Sequence, residues 1–166
     1  MQREIILVPD ARLNTPCAPV TSFDESLRQL VEDLTDTMRA GPGSVGVAAP
    51  QIGEMVRVAV VDTSGHRKFG EASQGFFALV NPRIVAHSGE RMGREGCMSL
   101  PDFTANVKRF GSVTVEFQTV DGETKSARFD DFEAVAMQHE IDHLDGILFL
   151  DRVANLSTDV FPRKKK

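Results

Sequence analysis

From residue 25 to 38 the apolar positions Leu27, Leu30, Val31, Leu34 and Met38 recur every three or four residues. That period lines them along one face of an α-helix. Ser22 with Glu25 predicts a capping box at its start, and Gly41-Pro42-Gly43 predicts its end. Residues 56–61, 76–80 and 112–120 read as strands, and Asp121-Gly122 predicts a turn into a partner strand near 124–129. Residues 64–74 are polar and predict a loop. A second helical period runs through Phe132, Val135, Ala136, His139 and His143, with Asp130 and Glu133 as its capping pattern and Gly146 as its stop. Strands in a long middle block followed by a helix predict an α+β fold, mostly antiparallel β-sheets packed around that helix, and not βαβ repeats. No linker, repeat or low-complexity block divides residues 1–166, so a single domain is expected.

Composition narrows the picture. A chain of 166 residues has room for one core that buries about two-thirds of its unfolded surface. Hydrophobic residues at 41% and charged ones at 26% are ordinary for a globular protein. The apolar run near the start is too short for a secretion signal, and no segment approaches a membrane span, so no membrane partner and a cytoplasmic location are expected. Two cysteines far apart, Cys17 and Cys97, fit a reducing compartment and no disulfide framework. A formal net charge of −5 argues against DNA binding. The exception is Arg163-Lys164-Lys165-Lys166, a basic tail of a kind that is most often merely solvated but that nucleic-acid phosphate can attract.

The chemistry concentrates in His139-Glu140-Ile141-Asp142-His143. On a helix, positions i and i+4 share a face, so both imidazoles reach one ion. Glu140 lies about 100° round from His139, awkward as a ligand but placed to touch a water held by the ion, the position of a base. Catalytic ions usually take three protein ligands and keep one position open. His66 and His87 lie in polar stretches that read as loops or turns, which leaves Cys97 as the better third candidate. It lies between Gly96 and Pro101, on a segment expected to be irregular, although a cysteine taken alone is most often a small buried hydrophobe.

Three stretches together resemble the motifs of peptide deformylases, in order and over nearly the whole chain. They are Ser44-Val45-Gly46-Val47-Ala48-Ala49-Pro50-Gln51, Glu95-Gly96-Cys97-Met98-Ser99 and Gln138-His139-Glu140-Ile141-Asp142-His143-Leu144-Asp145-Gly146. The resemblance implies that Cys97, His139 and His143 ligate the metal and that Glu140 is the general acid and base. It further implies that Gln51 and the Met98 backbone N–H donate to the oxyanion. The backbone of Val45 and Gly46 would pair with an extended substrate, and Glu95 with Arg109 would brace the cysteine segment. Ser44 and Met98 depart mildly from the family's usual glycine and leucine. Thr104 departs more, because many bacterial members carry a basic residue there, and this implies a weaker grip on the peptide beyond its first residues.

The implied activity is metal-dependent removal of the formyl group from the N-terminal formyl-methionine of a nascent polypeptide. Phe132, Val135 and Ala136, one to two turns before His139, are candidates to line an apolar pocket for the methionine side chain. The family implies one divalent ion, Fe²⁺ in the cell, while a cysteine and histidine set also accepts Zn²⁺, Ni²⁺ or Co²⁺ in purified protein. Two other readings remain: an amidase of this type acting on a different N-formyl or N-acyl substrate, and a structural zinc module. The latter usually has four protein ligands and no use for Glu140.

Overall fold

The computed structural model describes residues 1–163, and Lys164, Lys165 and Lys166 of the expected basic tail lie outside the described residues. The first helix, α1 (Glu25–Ala40), buries Leu27, Leu34 and Met38 as their spacing requires. Its cap is not Ser22. Asp24 directly precedes the first helical residue, and its carboxylate accepts from the Leu27 N–H at 3.2 Å, satisfying one of the free N–H groups of the first turn.

Among the described residues, eight strands follow the α+β expectation. They are β1 (Gly46–Ala48), β2 (Val58–Asp62), β3 (Phe76–Ser88), β4 (Arg91–Cys97), β5 (Leu100–Arg109), β6 (Ser112–Gln118), β7 (Thr124–Asp130) and β8 (Val160–Pro162). All named strand pairs are antiparallel, in a five-stranded sheet of order β1-β2-β3-β6-β7 and a three-stranded sheet of order β4-β5-β8. β3 runs eight residues past its predicted end, so His87 is not in a turn but on a strand, with its ring stacked on Phe110 at 3.8 Å. Pro101 is likewise no break, since it lies inside β5 beside the register shift at Gly96 and Cys97, where the ladder needs no N–H from it.

The second helix, α2 (Asp131–Leu144), carries the metal motif. The sequence predicts one buried stripe, but eleven of its fourteen residues are buried. It is enclosed on several sides, and three of its buried polar side chains, Glu133, Gln138 and Asp142, have anchors outside the helix. Glu133 accepts from the Gln74 N–H at 2.9 Å, and Gln138 exchanges hydrogen bonds with the backbone of Phe110 at 2.9 and 3.0 Å. Asp142 accepts from Arg109 and Arg152. Such partners are what makes burial of polar groups tolerable. Asp130 does not cap α2 with its side chain; it is held by Ser112, opposite it on β6, and by Arg128. Gly146 ends the helix as predicted, in the left-handed region at φ 77°, with its N–H on the carbonyl of His143.

The core is built on both sides of the larger sheet. Val61, Leu79, Val115, Phe129, Met137 and Ile141 pack β2, β3, β6 and β7 against α2. Leu27, Leu34, Met38, Val47, Val58 and Val60 pack α1 against β1 and β2. Cys97, Ala105, Val107 and Phe149 form a smaller cluster under the second sheet. The two sheets therefore bring β1, at Gly46, and the end of β4, at Cys97, to α2.

Candidate metal centre

Cys97, at the end of β4, and His139 and His143, on α2, bring one ligand atom each to within 4.8 Å of one another. Cys97 Sγ and His143 Nε2 are 3.4 Å apart. His139 donates its Nδ1 proton to Glu95 Oε1 at 2.9 Å, which leaves Nε2 for the ligand position. One sulfur and two imidazole nitrogens, converging from a buried floor, suit a divalent ion of the zinc or ferrous type.

The electrostatics of this cluster agree with ligation. Burial alone would push the Cys97 thiol up, but His143 and His139 beside it outweigh burial and hold it well below the usual thiol range. Cys17 is different. Packed with Ala48, Ala59 and Leu144, its thiol is pushed up by burial, as for an inert core cysteine. Burial raises Glu140, with the two histidines opposing. Its Oε1 is buried without a hydrogen-bond partner among the described residues, an acceptor left for something the cleft receives.

Gly46 makes room for that carboxylate. A Cβ on Gly46 would lie 2.7 Å from Glu140 Oε2 and 2.9 Å from its Cδ, so β1 approaches α2 this closely because residue 46 has no side chain. Gln51, in the short helical turn after β1, accepts from the Ala48 N–H at 3.0 Å and donates Nε2 to Cys97 Sγ at 3.4 Å and Ser99 Oγ at 3.1 Å. Its amide is thereby held at the cysteine. Met98 sits in the two-residue turn that joins β4 to β5.

These residues share one cleft of about 250 Å³. It is lined by Val45, Gly46, Gln51, Cys97, Met98, His139 and Glu140, and on one wall by Phe132, Val135 and Ala136. His143 is one of the three clustered ligands, although it does not line the cleft. All the other predicted site residues are brought together.

Behind the ligands runs a bracing network that the sequence disclosed only in part. Arg109 donates to both oxygens of Glu95 at 2.8 and 2.9 Å and also to Asp142, which in turn accepts from Arg152. Burial opposes ionisation of Glu95, yet Arg109 and His139 outweigh it and bring its pKa down to about 2. The tie from β5 through Glu95 to His139 therefore fixes the ring of a metal ligand. Ser99, Asp142, Arg152 and His66 were not picked out by sequence reasoning. His66, in the polar loop, stacks on Phe132 at 4.4 Å and lines the cleft. Periodicity cannot signal a loop residue that reaches a helix by folding back.

A buried cysteine and two histidines on a helix, with a partnerless carboxylate beside them in a cleft along a strand edge, define a metal-dependent hydrolase of amides. The polypeptide deformylase family model matches residues 2–159, and the chain belongs to that family, the hydrolases that remove the N-formyl group from nascent peptides. It is 49% identical over 152 residues to a peptide deformylase of Heliobacterium modesticaldum, covering 92% of this chain and 94% of that one. The crystal structure of a peptide deformylase from Legionella pneumophila superposes with a TM-score of 0.85 at 39% identity, covering 94% of this chain and 88% of the other. A class I type b peptide deformylase from Acinetobacter baumannii, solved with Met-Ala-Ser bound, gives 0.86 at 32% identity, covering 92% and 99%.

Proposed function

We propose that residues 1–166 act as one cytoplasmic domain that removes formyl from the N-terminal formyl-methionine of nascent chains, with Fe²⁺ held by Cys97, His139 and His143. The observation that carries the reading is Glu140, which lines the cleft beside the ligand residues and whose buried Oε1 has no hydrogen-bond partner among the described residues. When bound, the ion supplies Lewis acidity that makes hydroxide accessible near neutral pH and polarises a carbonyl.

The chain's own residues do the rest. Glu140 takes the proton of the attacking water on a carboxylate oxygen and later delivers it to the nitrogen of the leaving amine. Burial suits it to this traffic, because a carboxylate raised above its usual range holds a proton more readily. Gln51 Nε2 and the Met98 N–H donate to the oxyanion that forms on the formyl oxygen. Val45 and Gly46 pair with the peptide as a strand added beside β1, the end strand of its sheet. Phe132, Val135 and Ala136 receive the methionine side chain. A relative solved with Met-Ala-Ser bound supports a methionine-headed peptide as occupant of this cleft. A basic tail through Lys164, Lys165 and Lys166 would add a transient attraction to the ribosome, where such peptides emerge.

The test compares formyl-Met and acetyl-Met versions of one peptide with the Fe²⁺-loaded protein handled without oxygen. Cleavage of the formyl peptide at least about a hundredfold faster is expected, because the small formyl hydrogen lets a closed site reach the carbonyl. Comparable cleavage of the acetyl peptide would point to a broader amidase.

A further inference from the structure

The rim of the cleft carries a feature that the reaction itself does not use. Its lining includes four charged side chains other than histidine: Glu95, Glu140, Arg94 and Arg163. The two carboxylates are buried on the floor, and the two arginines are exposed at the mouth. Neither arginine has a carboxylate within ion-pair distance among the described residues, although most other arginines of this acidic chain do.

The Arg94 guanidinium is nevertheless held in place, and that of Arg163 lies over the floor of the cleft. Arg94, on β4, lies 3.8 Å from the centre of the Phe161 ring and donates to Thr104 Oγ1 at 3.3 Å and Asn106 Oδ1 at 3.2 Å. A cation on an aromatic face keeps its charge and loses freedom. Arg163 follows β8, where its backbone N–H bonds the Asp102 carbonyl at 2.8 Å. Its guanidinium reaches back over Gly96, next to the ligand Cys97. A Cβ on Gly96 would lie 2.0 Å from Arg163 Nη2, so this seat exists only because residue 96 is glycine. Each group offers planar donors to a carboxylate arriving from outside.

We propose that Arg94 and Arg163 form a carboxylate-recognition site for the part of the peptide downstream of its methionine, making this enzyme favour substrates with an acidic residue two or three positions after the start. The proposal rests on the peptide-deformylating reading for the direction of the substrate. With the reacting end on the buried floor, what passes the rim is the downstream chain. A free α-carboxylate on a short peptide has the same chemistry as an Asp or Glu side chain, so both would be drawn.

The experiment measures kcat and KM of the Fe²⁺-loaded protein for formyl-Met-Ala-Asp-amide, formyl-Met-Ala-Asn-amide, and formyl-Met-Ala-Ser as free acid and as amide. It also measures binding of the unformylated Met-Ala-Asp-amide and Met-Ala-Asn-amide by calorimetry. The expected result is a preference of at least about threefold for Asp over Asn, carried by KM and by affinity, and shrinking with added salt. Arg163→Ala and Arg94→Ala should each reduce the ratio, and Arg163→Glu should reverse it. The free acid should gain over its amide in the same variants that sense Asp, whereas a gain for the free acid alone would assign the site to a chain terminus and overturn the preference for acidic residues. Equal affinity and KM for Asp and Asn peptides, or a ratio indifferent to both arginines, would overturn the proposal. Failure to release formate from any peptide, with the binding preference intact, would count against the proposed reaction and leave this site standing.

Discussion

His139 donates its Nδ1 proton to Glu95 at 2.9 Å, and this one bond joins the metal ligands to the buried charge network behind them. Arg109 holds Glu95 from the other side through two hydrogen bonds. Glu95→Gln keeps the side-chain shape but removes the charge that fixes the imidazole and balances Arg109. Metal affinity should fall by about ten- to a hundredfold, as when such a supporting carboxylate is lost elsewhere. The fold should lose about 2 kcal/mol in denaturant unfolding, because buried Arg109 keeps Asp142 but loses the charge of its other carboxylate partner. A variant with unchanged chelator competition would show that the bond does not tune the ligand.

The two cysteines should separate cleanly. Elemental analysis of Cys97→Ala should find little metal, because one of three ligand atoms is gone. Cys17→Ala should keep one ion per chain, since Cys17 packs in a different cluster from Cys97. Full metal content in Cys97→Ala would remove Cys97 from the site.

Gly46 should matter through Glu140. In Gly46→Ala the new methyl would collide with the Glu140 carboxylate, so formate release should fall at least about tenfold while metal content stays. Loss of metal along with activity would mean that the strand, and not the carboxylate, had moved.

Ala136→Phe tests the apolar wall. Filling the space beside Phe132 and Val135 should raise KM for formyl-Met peptides at least about tenfold and weaken a peptide hydroxamate in parallel, with metal retained. An unchanged KM would place the methionine side chain elsewhere in the cleft.

What the sequence disclosed and what it hid follow from the physics of each segment. His139 and His143 on one helix face need only local geometry, so their pairing was legible, as was α1 from its apolar period. Gly46 and Gln51 could be placed through the family motifs, but the reason for the glycine appears only when β1 meets Glu140. The second sheet was invisible because β4 and β5 carry Gly, Pro, Asp and Asn where strand periodicity would show, and their partners are remote in sequence. Spacing gave the first cap to Ser22 although Asp24 stands next to the helix, and it placed Asp130 at the start of α2 without showing that Ser112 draws its side chain away from the helix. Arg163 counted as tail in the sequence, yet β8 pairing with β5 carries it to the cleft, and Thr104, expected to loosen the grip on the peptide, accepts a hydrogen bond from Arg94 there.

The central claim is that Glu140, beside the ion held by Cys97, His139 and His143, moves the proton in formyl hydrolysis. The most direct measurement is formate release from a formyl-Met peptide by wild-type protein and by Glu140→Gln, both loaded with Fe²⁺ to the same content without oxygen. The account predicts ready turnover by the wild type and a fall of at least about a hundredfold in the variant at equal metal. Near-normal release by Glu140→Gln would contradict it.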